Sequence, residues 1–204
     1  SRDWSSDVCS SDLREQENME DVLTSNVFGL LKYLPPAIGL LPFLSGMEMQ
    51  AGTINPIATL PDDVTVDYEF WPWWEEGDAY PCEPDLVLRI ETPDGRKFIV
   101  AVEAKFKSGK SSLTDESDNR ATDQLAREWD NLVQVARREA AEPLLVYLTA
   151  DFGCPRDEIE ISRLDYERTN NGGAHQFPSF ACGWLSWRRL ENIFGKSQIG
   201  RAHV

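Results

Sequence analysis

The sequence predicts a mixed α/β domain with a central sheet flanked by helices, and three observations carry that prediction. Phe98–Val102 and Pro143–Asp151 are apolar on both faces, as strands inside a sheet are. Residues 17–34 and 118–141 instead carry apolar side chains every three or four positions, the period of a helix buried on one side. Helical and strand patterns alternate along the chain, which favours helices layered on a sheet.

The first helix is read over 17–34, from the recurrence of Leu23, Val27, Leu30 or Leu31, and Leu34. Glu17, Glu20 and Asp21 lie in its first turns, where acids favour the helix dipole, and Pro35-Pro36 ends the pattern. The apolar run continues to Met49, but Lys32, the proline pair and Pro42 interrupt it before the roughly 20 residues that a membrane span needs. An apolar loop or short helix over the core is expected there, and no membrane partner. Val64–Trp74 alternates Val64, Val66, Tyr68 and Phe70 against Thr65, Asp67 and Glu69, which reads as a strand.

Residues 85–106 read as a hairpin around Pro93-Asp94-Gly95, a turn with a fixed φ, a local acceptor and a residue tolerant of positive φ. A polar loop, Ser108–Ser117, precedes the second helix, whose stripe is Ala121, Leu125, Trp129, Leu132 and Ala136. Pro143–Asp151 is the next strand. Phe152–Gln176 is polar, ends in Asn-Asn-Gly-Gly, and is expected to be a loop with at most one helical turn. Ala181–Trp187 is a last strand, followed by the beginning of a helix, and no internal repeat is visible.

Two terminal stretches stand outside this reading. Residues 1–13, with DWSSDVCSSDL, resemble a translated short-read sequencing adapter, and 199–204, IGRAHV, resemble the same adapter read on the other strand. Both are set aside as non-native. A single domain over 14–198 is expected, a metagenomic fragment whose natural ends lie elsewhere.

The 204-residue chain carries a formal charge of −15. Without Arg2, Arg201, Asp3, Asp7 and Asp12, 18 basic residues face 32 acids, leaving −14. That balance argues against nucleic-acid binding through a general basic surface, but leaves room for a divalent cation or a local basic groove. Cys82, Cys154 and Cys182 form no CxxC pair and have only His175 to join them, so neither a zinc site nor a disulfide framework is indicated. A cytoplasmic protein with reduced thiols is expected.

The chemistry concentrates at the end of the hairpin's second arm. Side chains alternate along a strand, so Glu103 and Lys105 share a face with Ile99 and Ala101. Asp85 opens the opposing arm, within reach of Glu103. Two carboxylates crowded together either take up a proton or hold a divalent cation, and hard oxygen ligands suit Mg²⁺ or Mn²⁺. A neighbouring lysine then polarises a water or neutralises a phosphate oxygen. The bland alternative, a solvated strand edge carrying a Glu and a Lys, stands beside this.

Pro84-Asp85, a gap, and Glu103-Ala104-Lys105 resemble the signature of the PD-(D/E)XK nuclease superfamily, and the element order resembles its restriction endonuclease-like αβββαβ core. The resemblance spans roughly residues 17–190. It implies a metal-dependent endonuclease-type hydrolase acting on DNA, with Asp85, Glu103 and the Ala104 carbonyl as metal ligands and Lys105 beside the attacking water. It also implies an acid from the first helix, for which Glu20 fits better than Glu17, and a glutamine from the second, Gln124.

Other features carry less. SGKSS (Ser108–Ser112) lacks the glycine that a phosphate-binding loop requires at position 104, so Lys107 and Lys110 are read instead as backbone-phosphate contacts. Trp71, Trp73, Trp74 and Tyr80 either stack on bases or, as expected here, pack as a strand end against a helix. Two rivals to a working nuclease remain. One is a nuclease-like module that no longer cuts and serves binding or assembly in a larger defence or DNA-processing system; the other is a regulatory sensor part of a defence protein. Homodimer or larger assembly is left open.

Overall fold

The structure is a computed structural model and describes residues 10–50, 52–106, 120–170 and 178–190. Lys107, Lys110, the SGKSS stretch, His175 and the 199–204 segment lie outside the described residues.

Six strands form one mixed sheet: β1 (Glu48–Met49), β2 (Thr65–Phe70), β3 (Leu86–Glu91), β4 (Lys97–Ala104), β5 (Glu142–Thr149) and β6 (Cys182–Ser186). Their order is β1-β6-β5-β4-β3-β2. β2, β3 and β4 form an antiparallel meander, β4, β5 and β6 run parallel, and β1 closes the far edge antiparallel to β6. The turn into β4 is the one the sequence specifies: the Gly95 amide donates to the Thr92 carbonyl, and Gly95 sits at φ +86°, open to glycine without strain.

β4 lies at the centre, paired on both sides, and all but its first residue are buried. Its pleat divides the core in two. Phe98, Val100, Val102 and Ala104 face α1 (Ser10–Leu31) and α2 (Leu40–Ser45), packing with Phe28, Leu31, Leu40 and Phe43. Ile99 and Ala101 face α3 (Gln124–Arg138), packing with Leu125, Trp129, Leu132 and Ala136. The predicted second-helix stripe is therefore the buried one, although the helix starts at Gln124, after the Asp123 cap, and not near residue 118. In α1 the buried line is Glu20, Thr24, Phe28 and Leu31; Leu30 points outward, and Leu34 lies past the helix end.

One expectation fails. Residues 156–170, expected to lie in a loop, form a 15-residue helix, α4 (Arg156–Asn170). Only a narrow line of it, Ile159, Ser162 and Tyr166, is buried, so the apolar period is too thin to see in the sequence. Its polar side is internally paired: Arg163 bridges Glu160 and Glu167, and Arg168 bridges Asp165. The buried line joins a ring cluster, with the Tyr166 and Phe180 ring centroids 6.4 and 5.7 Å from that of Trp129.

Candidate active site

The pairing of β3 with β4 runs from Glu91↔Lys97 to Leu86↔Val102, so the next pair in register is Asp85 with Glu103. Both carboxyl groups fall on the α3 face by alternation with Val87 and Ala101. The Asp85 carboxylate reaches across and accepts the Ala104 amide at 2.7 Å. Glu103 is buried and not stranded: its Oε1 accepts from Lys105 Nζ at 2.7 Å and from Gln124 Nε2 at 2.5 Å. This is why a buried strand ends in two charges; the lysine folds back over the strand end to neutralise the acid before it.

The backbone holds Lys105 on two sides. Its amide donates to the Leu148 carbonyl at 2.7 Å, and its carbonyl accepts from the Trp187 indole at 3.3 Å. Glu20 reaches the same strand end from the opposite face of the sheet, accepting the Phe106 amide at 2.8 Å. Glu20, Asp85 and Glu103 all act on the Lys105 charge. Burial opposes that charge most strongly of any single cause, yet Glu103, Asp85 and Glu20 together outweigh it and hold the ammonium pKa above its usual value. Burial first, and then the Glu103 charge, push the Asp85 carboxyl up to about 8; the Ala104 amide and Lys105 pull the other way.

Gln124 depends on α4. The amides of Thr122 and Asp123 both donate to the Asp165 carboxylate, at 2.7 and 2.9 Å, while Asp123 caps α3 by accepting from Leu125 and Ala126. The helix that the sequence reading missed thus anchors the turn that delivers Gln124 to Glu103.

The structure brings together Asp85, Glu103, Lys105, Gln124 and Glu20, and Ala104 joins them through its amide. Lys107 and Lys110 lie outside the described residues. Sequence reasoning missed Glu128, one turn after Gln124 and fully buried against Glu103. Burial and the Glu103 charge raise its carboxyl well above the ordinary range. Its Oε2 is buried without a hydrogen-bond partner among the described residues. The signal was present in Gln124-x-x-x-Glu128, because residues four apart share a helix face.

Among the described residues no group of three or more His, Cys, Asp or Glu side chains has a metal-holding arrangement. Two carboxyl groups opposed on neighbouring strands do fit a cation such as Mg²⁺, which takes one or two carboxylates and keeps several waters. The site lies at the end of the central strand, with Glu103 buried and Asp85 and Lys105 partly exposed. The groove of about 490 Å³ between the β1–β6 edge and α4 is lined by Glu48, Cys154, Arg156, Arg163 and Cys182 and by none of these site residues. Cys82 and Cys182 are buried free thiols and Cys154 is a partly exposed one, as the sequence suggests. No helix among the described residues is long and apolar enough to cross a membrane. No family model, curated protein or solved structure matches the chain.

Proposed function

We propose that this chain is a Mg²⁺- or Mn²⁺-dependent deoxyribonuclease of the PD-(D/E)XK type, hydrolysing DNA phosphodiester bonds. The observation that carries the reading is the opposition of Asp85 and Glu103, with Lys105 Nζ 2.7 Å from Glu103. Asp85 and Glu103 would hold the cation, with the Ala104 carbonyl as a further oxygen, while Glu20 would fix the strand end through the Phe106 amide. A bound divalent ion supplies Lewis acidity and lowers the pKa of water.

The chain's own residues do the rest. Lys105, held charged by its neighbours, offers a proton donor and a positive charge to a phosphate oxygen. Gln124 fixes one Glu103 oxygen, the same one that takes Lys105. Asp85, whose carboxyl is pushed up to about 8 by burial and by Glu103, would give up its proton to hold a cation.

A second reading, a module of this fold that no longer cuts, is favoured by the charge of −15, which repels DNA away from the site. One experiment separates the two. The protein is incubated with plasmid and linear DNA in Mg²⁺, Mn²⁺ or chelator, beside Glu103→Ala and Lys105→Ala. Metal-dependent cleavage lost in both variants is the expected result. No cleavage, and no rise in Tm with metal, would sink the nuclease reading and favour the second.

A further inference from the structure

The β2–β3 hairpin continues beyond its regular strands. Pairing from Thr65↔Glu91 to Phe70↔Leu86 is regained at Trp74↔Cys82 in the same register. The Trp71 amide donates to the Asp85 carbonyl at 3.2 Å, so Trp71 stands across from Asp85 and Trp73 across from Glu83. Pro72 and Trp74 turn inward and are buried, whereas Trp71 and Trp73 turn outward, 37% and 64% exposed. The expectation that this cluster packs against a helix therefore holds for Trp74 alone.

Two features mark these indoles as more than leftover apolar surface. Trp71 adopts φ +50°, a region disfavoured for a bulky side chain, and its ring lies 5.4 Å from that of Phe70. The loop beyond them is clamped to α3: Asn131 accepts the Glu76 amide and donates to the Tyr80 carbonyl, each at 2.9 Å. The indoles are thus presented on a fixed support, beginning at the residue that faces Asp85.

Building on the nuclease reading, we propose that Trp71 and Trp73 form a stacking platform for unpaired bases, making single-stranded DNA or a frayed end, and not intact duplex, the substrate. Aromatic faces take successive bases of any sequence by stacking. Two exposed indoles separated by one residue can take neighbouring bases of one strand. Charge argues in the same direction. Glu69, Glu75 and Glu83 are exposed around the indoles. A duplex carries one negative charge per roughly 1.7 Å and would bring a second phosphate backbone against these acids. A single strand lays its one backbone toward Lys105 and turns its bases to the tryptophans.

The test uses the full chain with a fluorescein-labelled single-stranded 20-mer and its blunt duplex. Binding is read by anisotropy in Ca²⁺ and cleavage in Mg²⁺, for the wild type, Trp73→Ala, Trp71→Ala/Trp73→Ala and Trp73→Phe. Each stack lost should weaken single-strand affinity by roughly 5- to 150-fold and leave duplex affinity unchanged, with Trp73→Phe retaining most of it. Trp73 is the more exposed of the two, so its single variant keeps the test valid should the double variant not fold.

Equal affinity for duplex and single strand, or a single-strand affinity indifferent to both alanine variants, overturns the proposal. So does capture of an oligoarginine peptide at Trp73 in place of DNA. Tryptophan-dependent single-strand binding without any cleavage would refute the nuclease reading and leave the platform standing. Metal-dependent cleavage indifferent to Trp73 would do the reverse.

Discussion

Replacing Asp85 by asparagine should stabilise the metal-free protein while abolishing cleavage. The folded protein holds the Asp85 proton up to a pKa of about 8, against 3.8 for the ordinary side chain, first because the group is buried and then because Glu103 faces it. A folded value above the unfolded one means that the associated stability is complete below pH 4 and is lost as pH rises toward 8. At about 1.4 kcal/mol per unit, the loss begins above pH 4 and is on the order of several kcal/mol at neutral pH. Asparagine carries no such proton, and its carbonyl oxygen can still accept the Ala104 amide that Asp85 accepts at 2.7 Å. Urea denaturation in chelator at pH 5, 7 and 9 should show the variant gaining on the wild type as pH rises, by an amount on the order of several kcal/mol at the upper end. Saturating Mg²⁺ should restore the wild type alone, since a ligand of the native state stabilises it. Parallel pH profiles for the two proteins, or a variant less stable than wild type at pH 9, would show that Asp85 is not crowded by Glu103, and the argument for a two-carboxylate site would fall with it.

Two further outcomes follow from the contacts of Glu103. Gln124→Ala removes a charge-assisted hydrogen bond worth about 1.5–3 kcal/mol, so Tm should fall by roughly 3–12 °C and the cleavage rate should fall with the loss of the fixed Glu103 oxygen; an unchanged rate would remove Gln124 from the site. Glu128→Gln keeps the shape of a group whose carboxyl is raised by burial and by the Glu103 charge, so the variant should match wild type at pH 4 and gain on it as pH rises above the ordinary carboxylate range; thermal melts across that range check this, and a variant that gains nothing would mean that the Glu128 carboxyl is not raised in the fold.

Much of the site was legible because it is local to one hairpin. Asp85 and Glu103 are brought opposite each other by a turn written as Pro93-Asp94-Gly95 and by the two-residue period of a strand, both readable without a tertiary structure. Gln124 was legible as a helix position, but its partner was not, because a separation of 21 positions from Glu103 says nothing about where the helix lands. Glu128 escaped notice because an acid beside Trp129 reads as the polar side of an amphipathic helix, and only the fold turns it inward. The α4 helix escaped for a related reason: three buried residues in fifteen leave too weak a period, and its stability rests on ion pairs and on packing with Trp129.

The sequence alone determined the layered α/β architecture, the central place of β4 and the shared face of the two acids, because burial on both sides and strand alternation are written residue by residue. Tertiary structure alone decided what surrounds those acids. Lys105, Gln124, Glu128 and Glu20 come from a strand end and two helices on opposite faces of the sheet, and a charge removed from water selects its partners by distance in space, not by separation along the chain.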